Sequence, residues 1–269
     1  MSRRISTVLF ASSLLCLGGP VQAQMLAVAG SLEGGYSSYD TPGEHLNEWR
    51  GAGSGVFTID NPGFNLQANF GNSGLKLSGQ SADLWRYDAD IFWRDHAGAI
   101  GIDGGGDSVS AGITNTTSKS STSSGFDLVH FGMFGEFFVF QGLTLRMRGG
   151  RIAGDETGYY ASPGLVWYPI RDIAVSLNGD YIKLDNPAPT VEDISVSAEY
   201  MPVRDVPITL SIGYTYAHLS QLSGHQDVLS AGIKWYFGGE GRSGTLEDRQ
   251  RNGPDNWAGP PATLVGVGF

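Results

Sequence analysis

The sequence predicts an all-β fold: a transmembrane up-and-down antiparallel β-barrel of about twelve strands, with ten or fourteen as alternatives. Three observations predict it. Apolar and polar side chains alternate with a period of two along repeated segments, which suits strands with lipid on one face and water on the other. The connections between these segments are alternately short and long. Outward aromatic residues recur eight positions apart.

The first 23 residues have the features of a secretory signal peptide. Arg3 and Arg4 form a positive start, residues 8–17 an apolar run, and the residues up to Ala23 a small-x-small site that predicts cleavage there. The apolar run is too short to span a bilayer. Cleavage would remove Cys16, the single cysteine, so the mature chain could not use disulfides for stability.

The predicted mature chain is strongly acidic. The full sequence has 17 Lys and Arg against 27 Asp and Glu, and loss of Arg3 and Arg4 leaves a net charge of −12. A nucleic-acid partner would need basic patches, so nucleic-acid binding is not expected. The 40 glycines fit a chain rich in strands and tight turns.

Residues 48–70 illustrate the alternation in a hairpin. A turn in its middle would place Ile59 opposite Phe64 and Phe57 opposite Leu66 on one face, with polar side chains on the other. A single register thus separates apolar from polar residues, as a boundary between lipid and lumen demands.

The same test predicts a register for four further hairpins. The predicted pairs include Trp93–Gly98, Glu136–Arg146, Trp167–Ile173 and Tyr200–Ile208. Two strands are weak by this test, because residues 64–70 are few and residues 97–103 run into three consecutive glycines.

Aromatic residues on the outward face are spaced by about the thickness of a membrane. The pairs are Trp49 and Phe57, Trp85 and Trp93, and Tyr159 and Trp167. Eight residues of a tilted strand rise roughly 20 Å along the barrel axis, which is near the ~25 Å apolar band of membrane barrels. Interfacial aromatic residues belong at the two edges of that band.

The last predicted strand runs from Ser230 to Phe237. It resembles the terminal assembly signal of bacterial outer-membrane proteins, with a polar residue at Ser230, then Gly232, and aromatic residues from Trp235 to the end. The resemblance implies that this segment engages the barrel assembly machinery.

Together these features resemble Gram-negative outer-membrane β-barrel proteins of the porin type. The resemblance implies a bacterial outer-membrane location, contact with outer-membrane lipid, and short turns in the periplasm. Residues 24–237 would form the barrel and residues 238–269 a periplasmic tail rich in Gly, Pro and charge. An oligomer is compatible with this resemblance.

By the same resemblance, the leading function is passive diffusion of small hydrophilic solutes or ions through a porin-like channel. The predicted pore-lining residues are Arg50, Arg86, Asp88, Asp90, Arg94, Glu136, Arg146, Arg148, Asp180, Glu199 and Lys234. Rings of fixed charge set ion preference in such pores. The alternative is that these charges pair and fill a narrow lumen.

Two other functions remain open: a structural or adhesive barrel that acts through its surface loops, and a lipid-modifying enzyme. No recognisable nucleophile motif surrounds any histidine, so catalysis is not expected, and His218 with Ser220 is the least poor candidate site. His218 and His225 flank one loop without a further ligand at zinc spacing. No metal and no cofactor are expected.

Residues 104–125 are rich in Ser, Thr and Gly and occupy the third long-loop position. The sequence predicts a loop here, either folded into the pore, as in general porins, or mobile at the surface.

Overall fold

The structure is a computed structural model that describes residues 26–41, 44–59, 63–77, 80–115, 120–185, 190–220, 224–238 and 244–254. The predicted signal peptide, its cleavage site after Ala23 and the tail beyond residue 254 lie outside these residues.

Twelve antiparallel strands form a closed barrel in which each strand pairs with its neighbours along the chain. β1 also pairs with β12, with Glu33 opposite Lys234, and this pairing closes the ring. The predicted fold and strand number are therefore confirmed. The strands are β1 (Leu26–Thr41), β2 (Glu44–Ile59), β3 (Gly63–Leu77), β4 (Gln80–Asp95), β5 (Gly98–Asn115), β6 (Ser120–Phe140), β7 (Leu143–Gly154), β8 (Gly158–Ile170), β9 (Ile173–Leu184), β10 (Thr190–Tyr200), β11 (Ile208–Leu219) and β12 (Gly224–Gly238).

The two faces of the wall differ as the alternation predicts. Large apolar side chains such as Met133, Ile212 and Ile233 stand outward and are more than half exposed. The six aromatic residues of the predicted bands are all exposed on this outer face. The alternate positions point inward and are mostly buried. Such an apolar exterior is what a lipid environment requires.

Two predicted registers are confirmed. Ile59 pairs with Phe64 and Phe57 with Leu66 in the β2–β3 hairpin. The β6–β7 hairpin pairs Glu136 with Arg146 on the inner face.

The predicted register of the β4–β5 hairpin is wrong by two residues. Trp93 pairs with Ile100 instead of Gly98. The two-residue turn lies one position later in the chain than predicted, because a carboxylate oxygen of Asp95 accepts hydrogen bonds from the backbone N–H groups of Ala97 (2.7 Å) and Gly98 (3.2 Å). A shift of two leaves every side chain on its predicted face.

The β8–β9 hairpin is shifted in the same way. Trp167 pairs with Val175 instead of Ile173. Ile173 instead pairs with Ile170 across a two-residue turn, after an irregularity in the ladder between Trp167 and Ile170.

The β10–β11 register is also two residues from the prediction. Tyr200 pairs with Leu210, and Ile208 extends beyond β10 to pair with Trp235 of β12. The backbone N–H of Met201 donates to the carbonyl oxygen of Asp172 in the neighbouring turn (2.9 Å) and so leaves the β10–β11 ladder.

The loop predicted for residues 104–125 is wrong for all of the segment that the structure describes. β5 continues to Asn115 and β6 begins at Ser120, with Gly104 opposite Phe131 and Asn115 opposite Ser120. Backbone hydrogen bonds carry the ladder onward without apolar alternation, so the pattern gave no signal for these strands. Residues 116–119 lie outside the described part.

One short helix, α1 (Leu246–Asn252), follows β12. Thr245 caps it in a capping box, in which the Thr245 hydroxyl accepts from the Asp248 N–H and the Asp248 carboxylate accepts from the Thr245 N–H. Within the described residues, no helix has the length and apolar character needed to cross a membrane.

Candidate functional site: the barrel lumen

The eleven predicted pore-lining residues all occupy inward-facing positions of their strands. The structure divides them among several charged groups at different places on the inner wall. Arg94 and Glu199 also contact α1.

The most buried group comprises Asp88 and Asp90 on β4, Asp103 on β5, His130 on β6 and Arg148 on β7, and is called here the Asp88 network. Nε2 of His130 lies 3.2 Å from Oδ2 of Asp88. The Arg148 guanidinium reaches the same oxygen at 3.5 Å and Oδ1 of Asp90 at 3.7 Å. None of these five side chains is more than 2% exposed, so each charge depends on its neighbours for stabilisation.

Neutral side chains complete the Asp88 network. Nδ2 of Asn69 donates to Oδ1 of Asp88 and to Oδ2 of Asp90, both at 3.0 Å. The Tyr160 hydroxyl donates to Oδ2 of Asp103 at 2.9 Å. The network thus holds three carboxylates against one guanidinium and one imidazole, which gives this level of the lumen an acidic character.

A second group lies beside the Asp88 network. Arg86 on β4 forms a bidentate pair with Asp107 on β5, with distances of 2.6 and 3.1 Å. Asp180, on β9, occupies the inward position opposite Asp193 of β10.

A third group, called here the Lys234 chain, runs around the other side of the wall. Arg50 on β2 pairs with Glu33 on β1 at 3.3 Å, and Glu33 pairs with Lys234 on β12 at 3.2 Å. Lys234 also lies 3.8 Å from Glu199 on β10, which accepts a hydrogen bond from Thr209. The charges thus form a connected row across neighbouring strands.

Asp88, Asp103 and His130 have ligand-type atoms within 4.8 Å of one another, a spacing that a metal ion could use. Their arrangement here is that of an ion-pair network. The Arg148 guanidinium faces Asp88, and the Tyr160 hydroxyl donates a hydrogen bond to Asp103. A positive charge and a hydrogen-bond donor therefore already stabilise these carboxylates.

His218 and Ser220 lie at the long-connection end of β11, and His218 is exposed. His218 is opposite His225, which lies 3.7 Å from Asp227. The Ser220 hydroxyl accepts a hydrogen bond from the Thr190 N–H at 3.0 Å and so helps to close the end of the β10–β11 pair.

Three features of the lumen were not predicted from the sequence. Asp107 lies in the segment predicted as a loop, and Asp103 ends the weak predicted strand of residues 97–103. Their spacing of four residues places both on the same face of one continuous strand. The third feature is α1, which lies at the short-turn end of the barrel. Its signal was the Thr245–Asp248 spacing of a capping box.

No family model matches the sequence, and no curated protein matches it either. Solved structures do match the fold. The TodX monoaromatic hydrocarbon channel deltaS2 mutant aligns with a TM-score of 0.53 and 7% identity over 78% of this chain and 90% of that one. The KdgM porin in complex with disordered oligogalacturonate aligns with a TM-score of 0.50 and 12% identity over 77% and 99% of the two chains. The translocator domain of the autotransporter NalP from Neisseria meningitidis aligns with a TM-score of 0.48 and 13% identity over 79% and 88%.

The fold is therefore that of outer-membrane β-barrel proteins, a class that includes porins and channels. At these low identities the likeness concerns the fold.

Proposed function

We propose that this barrel is a channel of the bacterial outer membrane for passive diffusion of small hydrophilic solutes or ions. One observation carries the proposal: an apolar, lipid-facing exterior encloses an inner face built from connected charged groups. A structural barrel whose inward charges only pair with one another is the alternative, and the recording described below distinguishes the two.

The proposal assigns the inward charges a role in selectivity. The Asp88 network has an excess of carboxylates over basic side chains, and fixed charge of one sign attracts counter-ions into a pore. We therefore expect cations and neutral solutes to be favoured over anions. The residues proposed to line the pathway are the eleven predicted ones together with Asp103, Asp107 and Glu33, which lie beside them on the inner wall.

The remaining assignments complete the proposal. Export would use the signal peptide, with cleavage after Ala23, and membrane insertion would use the assembly machinery through the segment from Ser230 to Phe237. Residues 24–237 would be the channel domain, with the residues after it on the periplasmic side. We propose no enzymatic activity, in line with the likeness of the fold to channels.

Single-channel recording tests the proposal. The mature protein is refolded in detergent, its barrel is verified by heat-modifiable gel mobility, and it is inserted into planar bilayers. Discrete conductance steps are expected, with a cation-selective reversal potential in a KCl gradient. A folded barrel that carries no current, with residues 244–269 present and also with them deleted, would overturn the channel proposal in favour of a structural barrel.

A further inference from the structure

Helix α1 spans the lumen at the end where the short turns lie. Nη1 of Arg94, at the end of β4, donates to the carbonyl oxygen of Gly253 just after the helix, at 2.7 Å. Nε2 of Gln250 donates to Oε2 of Glu199, at the end of β10, at 2.9 Å. β4 and β10 are six places apart in a ring of twelve strands and so lie on opposite sides of the barrel. The segment therefore bridges the full width of the opening.

The same helix is clamped to the β6–β7 turn. The Arg251 guanidinium donates to the carbonyl oxygens of Phe140 and Leu143, both at 2.9 Å, and to the Thr144 hydroxyl at 3.2 Å. Oε1 of Glu247 accepts from the Gly142 N–H at 3.0 Å and pairs with Arg251 at 2.7 Å. These contacts hold the helix at a third point on the rim.

Leu246 fills the space between these polar anchors. It is completely buried and belongs to an apolar cluster with side chains of β8, β9 and β12 and of the connection after β10. The other members are Val166, Tyr168, Ala174, Met201 and Tyr236. Leu246 and the polar anchors together close this end of the lumen.

The barrel does not depend on α1 for its own hydrogen bonds. Every strand is paired on both sides without it. Among the described residues, one backbone-to-backbone hydrogen bond joins the helix segment to the wall, from the Glu247 N–H to the Arg171 carbonyl oxygen at 3.0 Å. The other anchors are mostly polar side-chain contacts, which water can replace, and a helix of seven residues is marginal away from its seat.

From these contacts we infer that α1 is a displaceable plug, and that solutes pass only when it leaves its seat at the short-turn end. This inference rests on the proposed channel function and adds how the channel is closed. The plug is released as a unit because its anchors lie on a single short segment, while the twelve-stranded wall stays intact.

Two substitutions that each add one negative charge to α1 test the plug. Gln250→Glu replaces the amide that donates to Glu199 with a carboxylate of nearly the same shape, so two negative charges meet and α1 loses one anchor. Asn252→Asp adds the same charge at an exposed position of the helix and is the matched control. The Gln250→Glu channel is expected to be open for at least about tenfold more of the recording time than wild type. The reason is that a buried hydrogen bond to the Glu199 carboxylate is replaced by repulsion between two carboxylates. Asn252→Asp should match wild type.

A reversible lock tests the opposite direction. Arg171→Cys combined with Glu247→Cys places two thiols on residues that a single backbone hydrogen bond of 3.0 Å holds side by side, and the cross-link is verified before any recording. The predicted mature chain has no other cysteine. Oxidation should abolish current, and reduction of the same sample should restore it. Equal current in the oxidised and reduced protein, once the disulfide is verified, would overturn the plug.

A measurement without current separates failure of the plug from failure of the channel. Val166→Cys places a thiol on the inner wall beneath Leu246, where the wild-type side chain is fully buried. Its labelling by a maleimide should be slow, and the addition of Gln250→Glu should accelerate it. Faster labelling without current would uphold the displaceable helix and overturn the channel. Unchanged labelling, with current the same in Gln250→Glu and wild type, would overturn the plug and leave the channel standing.

Discussion

Glu136 and Arg146 face each other across the β6–β7 pair, with Nε of Arg146 3.1 Å from Oε1 of Glu136. The Glu136 side chain is 2% exposed, so its carboxylate has left water and depends on nearby donors for stabilisation. The pair connects two neighbouring strands on the inner face of the barrel. Removal of one partner leaves the other charge buried without the counter-charge that this pair supplies.

Replacement of Glu136 by Ala should therefore destabilise the barrel by about 3 kcal/mol, because Arg146 would be left without this carboxylate. Unfolding in urea, followed by heat-modifiable gel mobility, measures the change. Glu136→Arg combined with Arg146→Glu should recover a large part of the loss. As a control, Asp185→Ala breaks the exposed pair of Asp185 with Arg151 and should cost less than about 1 kcal/mol. Equal losses at the two sites would contradict the buried pair.

The lipid-facing exterior gives a second prediction. Ile212, on the outer face of β11, is 58% exposed, and Val203, in the connection between β10 and β11, is 50% exposed. Ile212→Arg should destabilise the folded barrel in lipid by about 2–4 kcal/mol, because an arginine would enter the apolar band. Val203→Arg should have little effect, since it lies outside the strands. Similar effects of the two substitutions would mean that the apolar band is misplaced.

Selectivity gives a third prediction, conditional on the channel. Asp103→Asn keeps the shape of the side chain and an acceptor for the Tyr160 hydroxyl but removes one negative charge from the Asp88 network. The cation-to-anion permeability ratio should fall about twofold, as measured by reversal potential in a KCl gradient. Asp185→Asn removes the same charge at the exposed end of β9 and should leave the ratio close to wild type. A ratio unchanged by Asp103→Asn would remove this network from the pathway.

The bridge from Arg94 to Gly253 gives a fourth prediction. Arg94→Lys keeps the charge but loses the planar group that reaches the carbonyl oxygen, so the amides of α1 should exchange hydrogen roughly fivefold faster. Hydrogen exchange of the helix peptide, read by mass spectrometry, measures this. Arg204→Lys, at an exposed turn pair with Asp172, is the control and should leave the exchange of α1 unchanged. No difference between the two variants would show that Arg94 does not anchor the helix.

The sequence predicted the faces of the strands better than their registers. Trp93 and Trp167 lie on the outer face as predicted, yet each pairs two residues from its predicted partner. A period of two determines which face a side chain takes, and a shift of two residues leaves that pattern unchanged. The turns decide between the two registers, and the Asp95 turn depends on a side-chain hydrogen bond that alternation does not report.

The charged groups of the lumen show the same contrast: alternation predicted which side chains point inward, and the fold decided which of them meet. The inward positions of Asp88, Asp90 and Arg148 followed from alternation, but their grouping with Asp103 and His130 depends on pairing among four strands. The Thr245–Asp248 spacing of a capping box was a local signal for the helix, although no helix was predicted there. Its seat was not predictable, because the residues that hold it come from strands distributed around the whole ring.

The sequence by itself determined that the chain forms a membrane-type barrel of about twelve strands with a charged inner face, because alternation is a local property that each segment carries alone. Only the tertiary structure decided which inward charges meet, how far β5 and β6 extend, and that α1 closes one end of the lumen. Those features depend on barrel closure, which brings residues such as Arg94 and Gly253 together across 159 positions of chain.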